Sequence, residues 1–195
     1  MVISGFDLFG GNTNVLTIGL PICATENKLV ALQSKLIIIN KLGDTIASYD
    51  KDTLEAIKTI NFTSSSNRIR FMQGSKQYFA IVEEKDSTDD ILYIYDENLV
   101  KIVENTYTNS RIMQIFLEDN YIYVGSGFFG QNSYTLKKYN LPDFNLLAST
   151  PTSYFLLNNK KLVTADENYL YTFDPGNDKV IFQYNKSNLQ INKTY

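Results

Sequence analysis

The three arginines of the chain are the residues whose type and spacing most directly suggest a chemistry. Arg68 and Arg70 are two positions apart, so their side chains lie on the same face of an extended strand. Arg111 follows Arg68 by 43 residues. Guanidinium groups bind carboxylate, sulfate or phosphate through paired hydrogen bonds. We expect these arginines either to bind an anionic group or to pair with acids of the segment 83–90, and we favour the pairing.

Two adjacent aromatic residues form the second candidate for binding. Phe128 and Phe129 are flanked by glycines within the segment 125–132, which reads as a loop. An exposed aromatic ring on a pliable backbone can stack on a sugar or fill a pocket of a partner. Burial over the end of a strand is the alternative, because buried aromatics are the more frequent case. We predict a binding surface in this loop and keep both roles open.

The segment 83–90 contains five of the acidic residues of the chain, in the order Glu-Glu-Lys-Asp-Ser-Thr-Asp-Asp. Carboxylate oxygens attract Ca²⁺, but a calcium-binding loop needs ligands at fixed spacing and a turn glycine. The segment has neither, so we predict a solvated charged loop and no metal site.

Histidine is absent and Cys23 is the single cysteine. The chain therefore has no disulfide within itself, no zinc site built from cysteine and histidine, and no Ser-His or Cys-His catalytic pair. We predict no cofactor.

Composition places the chain among soluble globular proteins. Its 195 residues are 44% hydrophobic and 13% aromatic, with a net charge of −3. This charge provides no basic surface for nucleic acid. The N-terminal residues lack the pattern of a signal peptide, and the longest apolar runs are too short to span a membrane. We expect a cytoplasmic or other intracellular protein, and the abundance of Asn, Ile, Lys, Tyr and Phe is typical of an AT-rich genome.

The elements that position these residues follow from an internal repeat. An aromatic residue followed by Asp or Asn ends a strand-like segment five times, at Phe6-Asp7, Tyr49-Asp50, Tyr95-Asp96, Tyr139-Asn140 and Phe173-Asp174. Short polar turns also precede strands that begin at residues 36, 78, 121 and 162, with spacings of 42, 43 and 41 residues. Each repeat therefore contains about four strands, joined as two successive hairpins.

This period and the aromatic-Asp/Asn ending resemble the repeats of β-propellers of the WD40-like, YVTN-like and quinoprotein-like kinds. The segments 121–127, Tyr-Ile-Tyr-Val-Gly-Ser-Gly, and 136–139, Leu-Lys-Lys-Tyr, match the pattern best. The Trp-Asp and Gly-His dipeptides of WD40 repeats are missing. The resemblance implies an all-β propeller of four-stranded antiparallel blades, and it implies nothing about function.

The repeat predicts one propeller domain over residues 1–195. We expect five blades, of which the last is a reduced closing blade made by the two termini. A four-bladed ring is the alternative, followed by a ring completed by two chains. The predicted full blades are 26–61, 67–107, 110–150 and 152–185, with 1–21 as the outer hairpin and 186–195 as the closing strand of the closing blade.

The long loops of such a propeller would share one face, and binding residues concentrate on loops of rigid folds. Here these loops are 63–67, 83–90, 106–110 and 125–132. We predict a non-enzymatic binding or scaffold protein that presents this face to a macromolecular partner, most simply another protein, as a monomer or a dimer.

Two other functions are kept as alternatives. A lectin-like propeller that binds glycans predicts an equivalent pocket in every blade. A glycoside hydrolase predicts two carboxylates about 5–10 Å apart in the channel. The strands expected to line that channel, such as 69–73 and 113–117, contain no acid. We therefore expect no enzymatic activity.

Overall fold

A computed structural model describes residues 2–4, 15–17, 28–40, 45–62, 69–128, 133–150, 155–156, 161–174 and 180–195. This part of the chain is all β, and every paired strand is antiparallel. None of it forms a helix long and apolar enough to cross a membrane. The prediction of an all-β fold built from four-stranded antiparallel units is confirmed, whereas the number of blades stays a prediction.

Four sheets follow one another along the chain, each with its strands in sequence order. The first contains β3 (Lys28–Ala31), β4 (Lys35–Asn40), β5 (Thr45–Asp50) and β6 (Ala56–Asn61). The second contains β7 (Ile69–Gly74), β8 (Tyr78–Glu84), β9 (Asp90–Asp96) and β10 (Lys101–Tyr107). The third contains β11 (Ser110–Leu117), β12 (Tyr121–Phe128), β13 (Ser133–Asn140) and β14 (Leu146–Ser149), and the fourth contains β16 (Lys161–Ala165), β17 (Tyr169–Asp174), β18 (Val180–Asn185) and β19 (Ile191–Thr194).

Two short elements complete the described strands. β1 (Val2–Ser4) and β2 (Val15–Thr17) pair with each other as a separate two-stranded ladder. β15 (Phe155–Leu156) pairs with the first two residues of β13 and so extends the outer edge of the third sheet.

The middle strand β8 is apolar on both faces because the second sheet packs between the first and the third. In β8, Phe79 and Ile81 face the first sheet, while Ala80 and Val82 face the third. Branched and aromatic residues favour the extended conformation and fill the space between stacked sheets. The alternation of side chains along a strand therefore joins three sheets through one segment of sequence.

Three hydrophobic clusters lie between consecutive sheets. One joins the first and second sheets, a second joins the second and third, and a third joins the third and fourth. The last of these is built around Tyr123, Leu136, Leu170, Tyr184 and Leu189. Sheets that stack face to face in sequence order are the arrangement of consecutive propeller blades.

A repeated turn connects the third and fourth strands of each sheet. Its apolar residue has a positive φ of 56° to 62° and recurs every 45 residues, as Leu54, Leu99, Phe144 and Leu189. The preceding carboxylate or amide oxygen accepts backbone N–H groups of the turn, as Asp96 does from Asn98 and Val100 at 2.8 Å. Asp50, Asp96 and Asn140, the polar residues of three aromatic-Asp/Asn pairs, thus form the turns that follow their strands.

The fourth sheet differs from the blade predicted at 152–185. β19 pairs with β18, so one sheet takes in residues 161–194, and the stretch predicted as a separate closing strand is its outer strand. The repeated turn explains this difference. Tyr184-Asn185 precedes Leu189 in the same way that each earlier aromatic-Asp/Asn pair precedes the apolar, positive-φ residue of its turn, so the outer strand of this sheet begins after Leu189. The single domain over 1–195 and the reduced closing blade stay predictions.

Candidate interaction surface

The candidate interaction surface is the loop end of the second and third sheets, where β8, β9, β11 and β12 begin or end. Two of the predicted loops, 83–90 and 106–110, lie in this region and are described by the structure. Several predicted features lie outside the described residues: Arg68, Phe129, the loop 63–67, and the part of the loop 125–132 that follows Phe128.

Asp90 is the centre of this surface. It is the first residue of β9, and its carboxylate is fully buried between the second and third sheets. Arg70 donates from Nη1 to Oδ2 at 2.7 Å, and Arg111 donates from Nη1 to Oδ1 at 2.7 Å. The backbone N–H of Ile112 also donates to Oδ2, at 2.6 Å. One carboxylate therefore holds two guanidinium groups and the main chain of the neighbouring sheet.

Arg111 makes further contacts with the acidic segment. Its Nη2 donates to Glu84 Oε1 at 3.0 Å and to the carbonyl oxygen of Ser87 at 2.7 Å. Burial disfavours the charged guanidinium, but hydrogen bonds and charge from Asp90 and Glu84 outweigh it and raise the pKa of Arg111. Arg111 thus remains a cation that ties the loop 83–90 to β11.

The acidic loop is folded by its own side chains. Asp86 Oδ1 accepts the backbone N–H groups of Thr88 and Asp89 at 2.7 and 2.8 Å, and these bonds hold its pKa below the ordinary value of 3.8. Asp89 Oδ1 accepts the backbone N–H of Asn109 at 2.8 Å. The loop is therefore fixed to the connection between β10 and β11, and its carboxylates make more hydrogen bonds than a solvated charged loop would require.

A second buried acid lies next to this cluster. Glu83 is fully buried, and the hydroxyl of Tyr93 donates to its Oε2 at 3.1 Å. Burial, followed by the charge of Glu83, raises the pKa of the Tyr93 phenol. In the part of the chain that the structure describes, no three acidic or cysteine side chains are grouped so as to hold a metal ion.

Phe128 is the exposed apolar residue at this surface. It is the last residue of β12 and pairs with Ser110, while Arg111 pairs with Gly127. Its side chain is 56% exposed, whereas the preceding residues 122–127 are buried. Phe128 and Arg111 therefore lie close together, where β12 ends and β11 begins. The acidic loop 83–90, which Arg111 holds by hydrogen bonds, lies beside them.

The geometry brings some of the predicted residues together and adds others. Arg70 and Arg111 meet at Asp90, and Phe128 adjoins them. Sequence reasoning did not single out Asp90 or Glu84 from the five acids of the loop. The one available signal was the position of Asp90 directly before the apolar run 91–95, where β9 begins.

The opposite end of the sheets contains a second charged cluster that the sequence did not predict. Lys138 is only 8% exposed, and its ammonium lies 3.9 Å above the ring of Tyr121. Its Nζ donates to the carbonyl oxygen of Lys186 at 3.1 Å, and Lys186 itself pairs with Glu118. Burial lowers the pKa of Lys138. These contacts join the third and fourth sheets.

Comparison with known proteins identifies the fold and no family. No protein-family model and no curated protein matches the sequence. A chain in a crystal structure of the mitotic checkpoint complex is similar in structure, with a TM-score of 0.60 and 12% sequence identity. The match covers 95% of this chain and 55% of that chain, so this chain spans about half the length of the solved one. This likeness, together with the four-stranded sheets, is consistent with a propeller.

Proposed function

We propose that this protein is a non-enzymatic binding scaffold that contacts a partner protein through the loop end of its second and third sheets. The observation that carries the proposal is the exposed ring of Phe128 at the end of an otherwise buried strand segment. Aromatic side chains contribute much of the binding energy of protein interfaces when a partner's pocket encloses them.

Rigidity of the surroundings supports this role for Phe128. The loop 83–90 is held by Asp86 within itself and by Arg111 and Asp89 to the third sheet. A surface that is already ordered loses less conformational entropy when a partner binds. An exposed aromatic beside such a loop is therefore better suited to binding than one on a pliable segment.

We assign Arg70 and Arg111 a positioning role in this surface. Their guanidinium groups are engaged by Asp90, and Arg111 is engaged by Glu84 as well. An external anion would have to compete with these buried carboxylates. Arg68 and Phe129 are kept as proposed contact residues because they flank Arg70 and Phe128 in the sequence.

Two further points favour a scaffold over an enzyme. The solved chain of similar structure belongs to a complex, and a role in an assembly is the coarse function that this likeness suggests. A glycosidase also needs a carboxylic acid that donates a proton and a second carboxylate. Of the two fully buried acids in the described residues, Asp90 is held between two arginines and Glu83 accepts a hydrogen bond from Tyr93.

A photo-crosslinking amino acid at position 128 tests the proposal. The protein with this substitution is irradiated in its native cells, and the crosslinked protein is identified, purified and titrated against the parent chain. Leu147, which is 51% exposed on β14 of the third sheet, receives the same amino acid as a matched control. We expect a crosslink specific to position 128 and a loss of affinity of about thirtyfold in Phe128→Ala, as for an interface hot spot.

The proposal fails if positions 128 and 147 crosslink to the same proteins, or if the purified partner binds Phe128→Ala as tightly as it binds the parent. Crosslinking of position 128 to residues of its own chain only would instead indicate that the ring lies over the strand ends.

A further inference from the structure

A cavity lies in the cleft between the third and fourth sheets, at the end opposite the acidic loop. Its volume is about 400 Å³, which is within the range of small-molecule sites. One wall is the end of β14, and the other is the turn between β18 and β19. The lining residues are Ser149, Thr150, Tyr184, Asn188, Leu189, Gln190 and Ile191.

The repeat shows how this cleft differs from the two before it. Between the first and second sheets, the position equivalent to Ala148 is Lys58, whose Nζ crosses the cleft and donates to the carbonyl oxygen of Asn98 at 2.8 Å. Between the second and third sheets, the position equivalent to Leu189 is Phe144, which packs against the hydrophobic cluster there. The third cleft has Ala148 where the first has Lys58, and Leu189 where the second has Phe144, and the cavity lies in this third cleft.

None of the described residues that line this cavity is charged. Asn188 and Gln190 supply side-chain amides, and Ser149 and Thr150 supply hydroxyl groups. Amides and hydroxyls both donate and accept hydrogen bonds, as the hydroxyl groups of a sugar do. Ile191, which is 37% exposed, provides apolar surface that the C–H groups of a sugar ring would contact, while Leu189 and the ring of Tyr184 are buried at the wall of the cavity.

The walls of the cavity are fixed by backbone hydrogen bonds. Thr150 donates its N–H to the carbonyl oxygen of Leu136 and accepts the Leu136 N–H on its hydroxyl, both at 2.9 Å. Across the cleft, the N–H of Asn185 donates to the carbonyl oxygen of Gln190 at 2.9 Å. A preformed cavity of this kind binds a small ligand without the cost of ordering its walls.

We propose that this cleft is a binding site for one neutral sugar ring. The described lining residues offer no counter-charge to a phosphorylated or acidic sugar, whose charge would be desolvated on binding, and they therefore favour a neutral one. The site is distinct from the surface around Phe128, so it adds a small-molecule ligand to a protein-binding scaffold. It does not depend on the scaffold role.

The site is tested with a panel of neutral methyl pyranosides, added to the full chain while backbone amide shifts are followed by NMR. We expect saturable shifts for at least one sugar, confined to residues 148–150 and 184–191. A uronic acid and a neutral blocked dipeptide are titrated as comparators. Stronger binding of either comparator would overturn the assignment to a neutral sugar, the second in favour of a peptide groove.

Two variants separate the cavity from the rest of the fold. Leu189→Phe places in the fourth sheet the residue that the third sheet has at this position, with the same positive φ. Gln190→Ala removes an exposed amide, and Asn145→Ala is its control at the equivalent position of the third sheet. We expect at least tenfold weaker sugar binding in the first two variants and no change in the control. Parent-like binding by both Leu189→Phe and Gln190→Ala would refute the site.

The two proposals can fail separately. Phe128→Ala is expected to bind the sugar as the parent does, and Leu189→Phe is expected to keep the crosslink from position 128. A loss of sugar binding in Phe128→Ala would overturn the separation of the two sites.

Discussion

Arg111 of the third sheet donates from Nη1 to Oδ1 of Asp90 in the second sheet at 2.7 Å, and the carboxylate that accepts this bond is fully buried. The two sheets are therefore joined by an ionic contact at their loop end as well as by the hydrophobic cluster below it. Because a buried charge is tolerated only when it is paired, each partner depends on the other.

Removal of the Asp90 charge is expected to destabilise the fold strongly. Asp90→Asn leaves two guanidinium groups without their buried counter-charge, at a cost of about 3 kcal/mol in the free energy of unfolding. Urea denaturation measures this cost. Asp119→Asn is the control, because Asp119 is partly exposed, forms a long ion pair with the Lys76 ammonium at 3.7 Å, and accepts the Lys76 backbone N–H on an oxygen that asparagine retains. This substitution should cost at most about 1 kcal/mol. Equal effects of the two substitutions would contradict a structural role for the Asp90 cluster.

Phe128 is expected to contribute little to stability. Phe128→Ala removes a ring that is mostly exposed, so the free energy of unfolding should change by no more than about 0.5 kcal/mol. Phe79→Ala, at a fully buried ring between the first and second sheets, should cost about 3–5 kcal/mol. Thermal and urea denaturation compare the two. A large loss of stability in Phe128→Ala would show that the ring packs against the fold.

The repeated turn allows the effect of side-chain burial on stability to be tested at two positions that share one backbone conformation. Leu54 and Leu99 have φ values of 62° and 60°, but Leu99 is 4% exposed and Leu54 is only half-buried. Glycine relieves about 1 kcal/mol of strain at positive φ. Leu99→Gly should nevertheless cost about 2–3 kcal/mol, because the buried side chain is lost.

Leu54→Gly should be close to neutral, since less apolar surface is lost for the same relief of strain. Urea midpoints measured on both variants check this difference. Equal destabilisation by the two substitutions would contradict the role assigned to burial.

Buried tyrosines are expected to limit stability in alkali. Burial raises the pKa of both Tyr95 and Tyr184 from 10.0 to about 12. The folded state therefore favours the neutral phenol, and this contribution is complete below pH 10 and is lost as the pH rises towards about 12. The ultraviolet absorbance of phenolate should rise in a cooperative step that coincides with unfolding. Titration of these tyrosines near pH 10 with the fold intact would contradict their burial.

Much of the fold could be predicted because the repeat is carried by residues with a local physical role. The second predicted blade, 67–107, nearly coincides with the second sheet, 69–107, since Tyr95 packs inward and Asp96 forms the turn that follows. The fourth repeat could not be placed in this way because Phe173-Asp174 and Tyr184-Asn185 both fit the pattern.

Only the packing between sheets distinguishes these two pairs. Leu189 follows Asn185 by four residues and fills the third cluster, whereas the residue four positions after Asp174 is Asp178. An aspartate cannot fill that apolar space, and the sequence pattern alone did not include this requirement.

The candidate surface was less accessible to sequence reasoning. The pairing of Arg70 and Arg111 with the acidic segment was the interpretation that we favoured, and both do contact Asp90. Which acid would be buried depends on where β9 begins relative to β11 of the next sheet. That relation is fixed by the stacking of sheets, and nothing in the segment 83–90 itself encodes it.

The constant spacing of Leu54, Leu99, Phe144 and Leu189 has a consequence for how this chain can change in evolution. Leu99, Phe144 and Leu189 each reach the gap between two sheets, so a residue inserted into one of these turns would displace an apolar side chain from the interior. The connections at the other end, such as 85–89 and 108–109, carry no such requirement and already differ in length. Insertions and deletions should therefore accumulate at one end of the molecule, where new partners could be acquired without rebuilding the interior.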